Sequence, residues 1–161
     1  MHVVSDADVL IHLSKLEKLS LLKLLYNEVA IPEYVKTEIL RKDHKELQKA
    51  FNSFLRTYQT SGEKAEEIAK NHGIHTGEAH VKTLGERLNA TLFLSNERKV
   101  RKAAKSEGFI VVGTIGIILK SLKTGIIEKS EAVALLEKMK AEDFRIHPDM
   151  IQKAIDAVNE I

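Results

Sequence analysis

A chain of 161 residues suits one domain and can bury a core without staples, and its lack of cysteine excludes both a disulfide framework and a thiolate metal site. A formal charge of +2 gives no global attraction to a polyanion or a membrane, so any such preference must be local. No apolar run reaches the ~18 residues of a membrane span, and the start MHVVSDADVL has no basic segment ahead of an apolar one, so a cytoplasmic protein is expected.

In chain order, residues 2–5 are too apolar and too few for a surface helix and read as a buried strand. Val9, Leu10, Leu13 and Leu16 then repeat at helical spacing, and 19–26 continues as a second helix. Residues 28–31 read as a strand and 32–41 as a helix, Pro32 sitting where a first turn tolerates it. Residues 44–55 read as helical through Leu47, Phe51, Phe54 and Leu55, with a short strand near Tyr58. A helix over 63–71 stops at His72-Gly73, a C-cap pattern, and another runs over 77–88.

The remainder alternates. Residues 91–94 and 109–112 read as strands, with a helix over 97–106 between them. Helices follow over 115–123, 130–140 and 148–159, and 144–146 reads as an added edge strand. Apolar strands separated by helices imply right-handed crossovers and a mostly parallel sheet covered on both faces, a three-layer α/β/α fold. Such sheets bind ligands at the carboxyl ends of their strands. Asp6 follows the first strand and Ser95-Asn96-Glu97 follows another, so the two positions are expected to meet.

Each candidate residue also has an ordinary structural role. Asp6 suits a helix N-cap, although Asp8 would fill that cap as well. Glu38, one turn after Val35, lies at the border of an apolar stripe. Thr76 suits an N-cap, Gly77 and Ala79 a close approach to a neighbour, and Glu78 a dipole-favoured first-turn acid. His75 reads as structural, and His44, His72 and His80 show no zinc-like spacing. Arg98, Lys99, Arg101, Lys102 and Lys105 make one basic helix, suited equally to solvation or to phosphates. Gly113-Thr114-Ile115-Gly116 lacks a third glycine and a downstream ribose acid, so it is no dinucleotide fingerprint. Thr114 is a candidate lining residue.

In combination, acids gathered from distant segments at one sheet end suit a hard cation, which takes several oxygen ligands and keeps some of its waters. VVSDADVLIHLSKLEKLSLLKLLYNEVAIPEYVKTEIL resembles the opening of a PIN domain: an apolar strand, an Asp, a small residue and an apolar helix. HTGEAHVKTLGERLNATLFLSNERKVRKAAKSEGFIVVGTIGIILKSLKTGII and the ending AEDFRIHPDMI resemble an archaeal and bacterial subgroup with a T-G-E-A helix start, DUF3368-like and akin to VapC-like toxin nucleases. The resemblance spans nearly all of residues 1–161 as one PIN-like domain.

That resemblance implies a ribonuclease dependent on Mg²⁺ or Mn²⁺, with Asp6, Glu38, Glu78 and Glu97 as catalytic acids. Asp6, Glu78 and Glu97 would hold metal, joined by Asn96 if a paired-acid register applies, with Asn96 a weaker, neutral ligand. Ser95, Arg98, Arg101 and Thr114 are the expected substrate contacts. An RNA substrate, an antitoxin that blocks the acidic crevice, and a homodimer are the implied partners. Two rivals remain: a PIN fold that binds RNA or protein without cutting, and a phosphoacceptor signalling domain. The second requires a lysine directly after a late core strand, where this chain has Gly113.

Overall fold

The computed structural model describes residues 2–41, 45–142 and 144–161. The elements run β1 (Val3–Ser5), α1 (Ala7–Lys15), α2 (Ser20–Tyr26), β2 (Val29–Pro32), α3 (Glu33–Leu40), α4 (Lys45–Phe51), β3 (Leu55–Tyr58) and α5 (Gly62–His72). They continue with α6 (Thr76–Arg87), β4 (Leu92–Leu94), α7 (Arg98–Ser106), β5 (Ile110–Val112), α8 (Thr114–Lys123), α9 (Lys129–Ala141) and α10 (Pro148–Asn159). Among the described residues no helix is long and apolar enough to cross a membrane.

The five strands form one sheet in the order β3-β2-β1-β4-β5, and every pairing is parallel. Parallel pairing demands crossovers, and the helices supply them. The chain steps from β1 to β2 to β3 in one direction, then returns past β1 to β4 and β5. Right-handed crossovers therefore lay α1–α4 on one face and α5–α7 on the other. Helix α8 joins the first layer by packing on α1 and α2.

Burial on both faces explains why the inner strands read as unbroken apolar runs: Val3, Val4, Val29, Ile31, Leu92, Phe93 and Leu94 are all buried. In register, Val4 pairs with Ala30 on one side and with Phe93 on the other. Phe93 meets Phe109 edge-to-face at 5.8 Å, and Gly85 of α6 fits against that Phe109 ring, where a Cβ would stand 2.9 Å away.

Three expectations change. The helix expected over 44–55 ends at Phe51, and Leu55–Tyr58 is an edge strand; the expected start at His44 lies outside the described residues. Only Leu55 of that strand is buried, so the apolar spacing on which the helical reading rested came from a helix end and a strand start together. Thr76 is the first residue of α6 rather than its cap; His75 occupies the cap position without a side-chain bond. Residues 144–146 add no strand. Arg145 has φ 52, which no strand accommodates, and buried Phe144 anchors this connector against His12 with ring centroids 5.2 Å apart.

Candidate active site

Chain direction reverses between β1 and β4: β1 leads outward to β2, and β4 leads outward to β5. A crevice opens at the carboxyl ends of two such strands. The Asp6 N–H donates to the Leu94 carbonyl at 3.1 Å, so the turns leaving β1 and β4 are tied together.

One cavity of about 230 Å³ occupies this position, and Asp6, Asp8, Glu38, Glu78 and Glu97 line it. Val35, Gly77, His75 and Arg145 complete its wall. The structure thus brings together four acids singled out in the sequence and adds a fifth. Asp6 and Asp8 come from the start of α1, Glu38 from α3, Glu78 from the first turn of α6, and Glu97 from the turn before α7.

Asp6 serves two purposes. Its Oδ1 accepts from the Val9 N–H at 3.1 Å and caps α1. Its Oδ2 is buried and has no hydrogen-bond partner. Asp8 therefore leaves the cap to Asp6 and sits in the first helical turn. Burial pushes the Asp6 carboxyl up to about 7; the Ser95 hydroxyl and the Val9 N–H oppose this, while the Asp8 and Glu78 charges add to it.

Glu78 resembles Asp6 in its environment. Its Oε2 is also buried without a partner. Its pKa is raised, chiefly by burial, with the Glu97 and Asp8 charges acting the same way and its own backbone N–H and His75 acting against. Two carboxylate oxygens thus lie buried on one polar cavity without a protein hydrogen-bond partner.

Glu38 reaches the cavity because Gly77 has no side chain. A Cβ at Gly77 would collide with the Glu38 Oε1. The T-G-E-A helix start is explained by this contact: the glycine clears space for one acid, and the next residue supplies another.

Other expected site residues lie elsewhere. Asn96 does not line the acidic cavity. Its Oδ1 accepts from the Thr114 N–H at 2.8 Å, and its Nδ2 faces the Thr114 hydroxyl at 2.8 Å and His12 Nδ1 at 3.0 Å. The backbone bond fixes the amide's orientation, so its Nδ2 is the group that faces His12 Nδ1. Gly113 permits the approach, since a Cβ there would stand 2.5 Å from Asn96 Oδ1. Asn96 is correspondingly a poor metal-ligand candidate, and Thr114, fully buried, is a partner of Asn96 rather than a lining residue. Ser95 is fully buried beneath the acids, its hydroxyl accepting from the Glu97 N–H at 3.2 Å, so it positions the turn and does not face an open substrate path. Arg98 and Arg101 lie outside this cavity, on the neighbouring surface of α7.

Sequence reasoning missed Arg145, and it read His75 as structural, a residue that also lines the cavity from the cap position of α6. Neither carries a local signal: Arg145 arrives on the connector between α9 and α10, and His75 on a helix cap.

Hard cations fit this donor set. Buried, unpartnered Asp6 Oδ2 and Glu78 Oε2 are oxygens that an ion would satisfy. Among the described residues, no three acidic or histidine side chains converge tightly enough to form a ready-made cage. Mg²⁺ tolerates this, because it usually takes one or two carboxylates and completes its shell with waters and substrate phosphates.

A family model described as a PIN domain, DUF3368, matches residues 2–160. No curated protein matches the sequence. The crystal structure of PAE2754 from Pyrobaculum aerophilum is similar in fold, with a TM-score of 0.53 at 16% identity, covering 70% of this chain and 91% of that one. The five-stranded parallel sheet flanked by helices is the architecture expected of such a domain.

Proposed function

This chain belongs to the PIN-domain family, whose members are generally nucleases that use divalent metals, and we propose that it is a Mg²⁺- or Mn²⁺-dependent endoribonuclease. The observation that carries the reading is the pair of buried, unpartnered oxygens of Asp6 and Glu78 on a cavity that Asp8, Glu38 and Glu97 also line.

Asp6 and Glu78 would hold the ion directly, with Glu97, Glu38 and Asp8 beside them to reach it through its waters. A bound divalent ion supplies an activated water and neutralises the charge that builds on the phosphate. The protein's part is to fix oxygens in place before substrate arrives. Asp6 is held by the α1 cap bond, Glu78 by the first turn of α6, and Glu38 by its fit over Gly77. Arg145, at the cavity wall, offers a guanidinium to a phosphate without neutralising the acids, since it makes no ion pair among the described residues.

Asn96 is occupied by Thr114 and His12, so its amide does not weaken the acid set. A toxin role opposed by an antitoxin that covers the acidic cavity, a homodimer and a cytoplasmic location complete the proposal; they rest on the sequence resemblance. The second reading, a PIN domain that binds RNA without cutting, is favoured by the loose spacing of the acids. Mn²⁺-dependent cleavage of a generic RNA by the wild type, Asp6→Asn and Glu78→Gln separates the two. The nuclease reading expects cleavage that either substitution lowers at least about a hundredfold; equal activity in all three proteins would sink it.

A further inference from the structure

Beside the acidic cavity lies a second one of about 380 Å³, and Arg145 lines both. Its apolar floor is Val111, Ile115, Leu119 and Ile146, and its rim carries Arg101 and the half-exposed Met150. Asn96 contributes a wall, but its amide is already spent on Thr114 and His12. The pocket is therefore apolar inside, with its hydrogen-bonding groups, Arg101, Arg145 and His147, at its edges.

A third hollow continues from it along α7. Arg101, Met150 and Asn96 are common to both hollows, and Arg98, Lys102 and Lys105 extend the second outward. Among the described residues, none of Arg98, Arg101, Lys102, Lys105 and Arg145 makes an ion pair. These cations are not neutralised within the protein and remain open to an external polyanion.

From this arrangement we infer that the second cavity is a subsite for one unstacked base of a single-stranded RNA. The strand's phosphates run from Arg145 past Arg101 and along the basic face of α7. The inference rests on the nucleic-acid reading above and adds strand type and base tolerance to it. An apolar pocket beside phosphate-binding cations suits a base, because every base offers a flat face that needs only apolar contact. A peptide fits less well: its backbone would demand hydrogen bonds that this floor does not offer. The base identity is read weakly at the floor, which offers only apolar side chains, so any reading of a base edge falls to Arg101, Arg145 and His147 at the rim. Duplex is disfavoured, because its bases stay stacked inside.

The test measures binding without cleavage. Anisotropy of short fluorescein-labelled strands is recorded in EDTA with three probes: single-stranded RNA, the same strand annealed to its complement, and an equally long abasic sugar-phosphate strand. The intact single strand should bind about tenfold more tightly than either other probe. Replacing Ile146→Ser and Met150→Ser together should erase most of that preference, whereas Arg101→Gln should weaken the intact and abasic strands alike. Equal affinity for intact and abasic strands, or a preference that survives the Ile146/Met150 replacement, overturns the subsite. A base preference without Mn²⁺-dependent cleavage leaves the subsite standing and removes only the nuclease reading. Cleavage without base preference does the reverse.

Discussion

The Thr114 N–H donates to Asn96 Oδ1 at 2.8 Å, joining the turn after β4 to the first residue of α8. Two further bonds from the same amide, to the Thr114 hydroxyl and to His12, make Asn96 a three-way clamp behind the acidic cavity.

Asn96→Ala should accordingly act on stability. Losing the clamp leaves the buried Thr114 N–H without its acceptor, and a loss of about 2 kcal/mol is expected. Denaturant unfolding measures it, and Mn²⁺ affinity of the folded variant should change little. Unchanged stability with lost Mn²⁺ affinity would return Asn96 to the metal site.

The positions of the acids were legible from their combination and order along the PIN-like pattern, since each alone reads as a cap, a stripe-border residue or a first-turn acid. The direction of Asn96 was not, because it depends on Thr114 and His12, 18 and 84 residues away along the chain. The inner strands were legible from their two-sided burial. Strand β3 was not, since an edge strand with one buried residue has little apolar pattern to show. Arg145 was placed in a strand for want of any sequence sign of its positive φ.

Asp6 carries a pH signature. Its folded pKa of about 7 stands above the ordinary carboxyl value of 3.8, so the folded chain holds the proton more tightly than the unfolded one. Without divalent ions, Asp6 therefore favours the fold at low pH, and this contribution is lost as pH rises from about 4 through 7. Asp6→Asn keeps an oxygen for the Val9 N–H and removes the titration. The stability difference between variant and wild type should grow in the variant's favour by a few kcal/mol across that window and then level off. Paired urea titrations at several pH values in EDTA measure it; a difference independent of pH would show that Asp6 is not the group responsible.

Gly77→Ala separates site from scaffold. The added methyl meets only the side-chain end of Glu38 and no backbone, and alanine favours a helix over glycine by up to ~1 kcal/mol, so the melting temperature should barely change. Glu38 must swing away from the cavity, and Mn²⁺-dependent cleavage should fall about tenfold or more. A stable variant with full activity would remove Glu38 from the active site.

Lys82, one turn beyond Glu78 on α6, provides a control whose side chain does not line the acidic cavity. Its side chain is 2% exposed, and its ammonium contacts Glu107 and, at 3.0 Å, His72 Nε2. Lys82→Ala should cost about 3 kcal/mol, through a cavity and the lost partner of Glu107, while Lys82→Met should recover much of this by filling the space. Thermal melts distinguish the two, and RNA cleavage at a temperature where both remain folded should match the wild type.

The cavity's acids all come from residues 6–97, whereas Arg145 comes from the connector that joins α9 to α10. On the proposed reading, chemistry and grip are thus encoded in separate stretches of chain. Drift in the last helical pair can change which strand is held, and at what angle, while every carboxylate stays where β1, α3, α6 and β4 put it. Such a division makes the terminal hairpin the place to exchange when retargeting this scaffold, and residues 6–97 the stretch to leave alone.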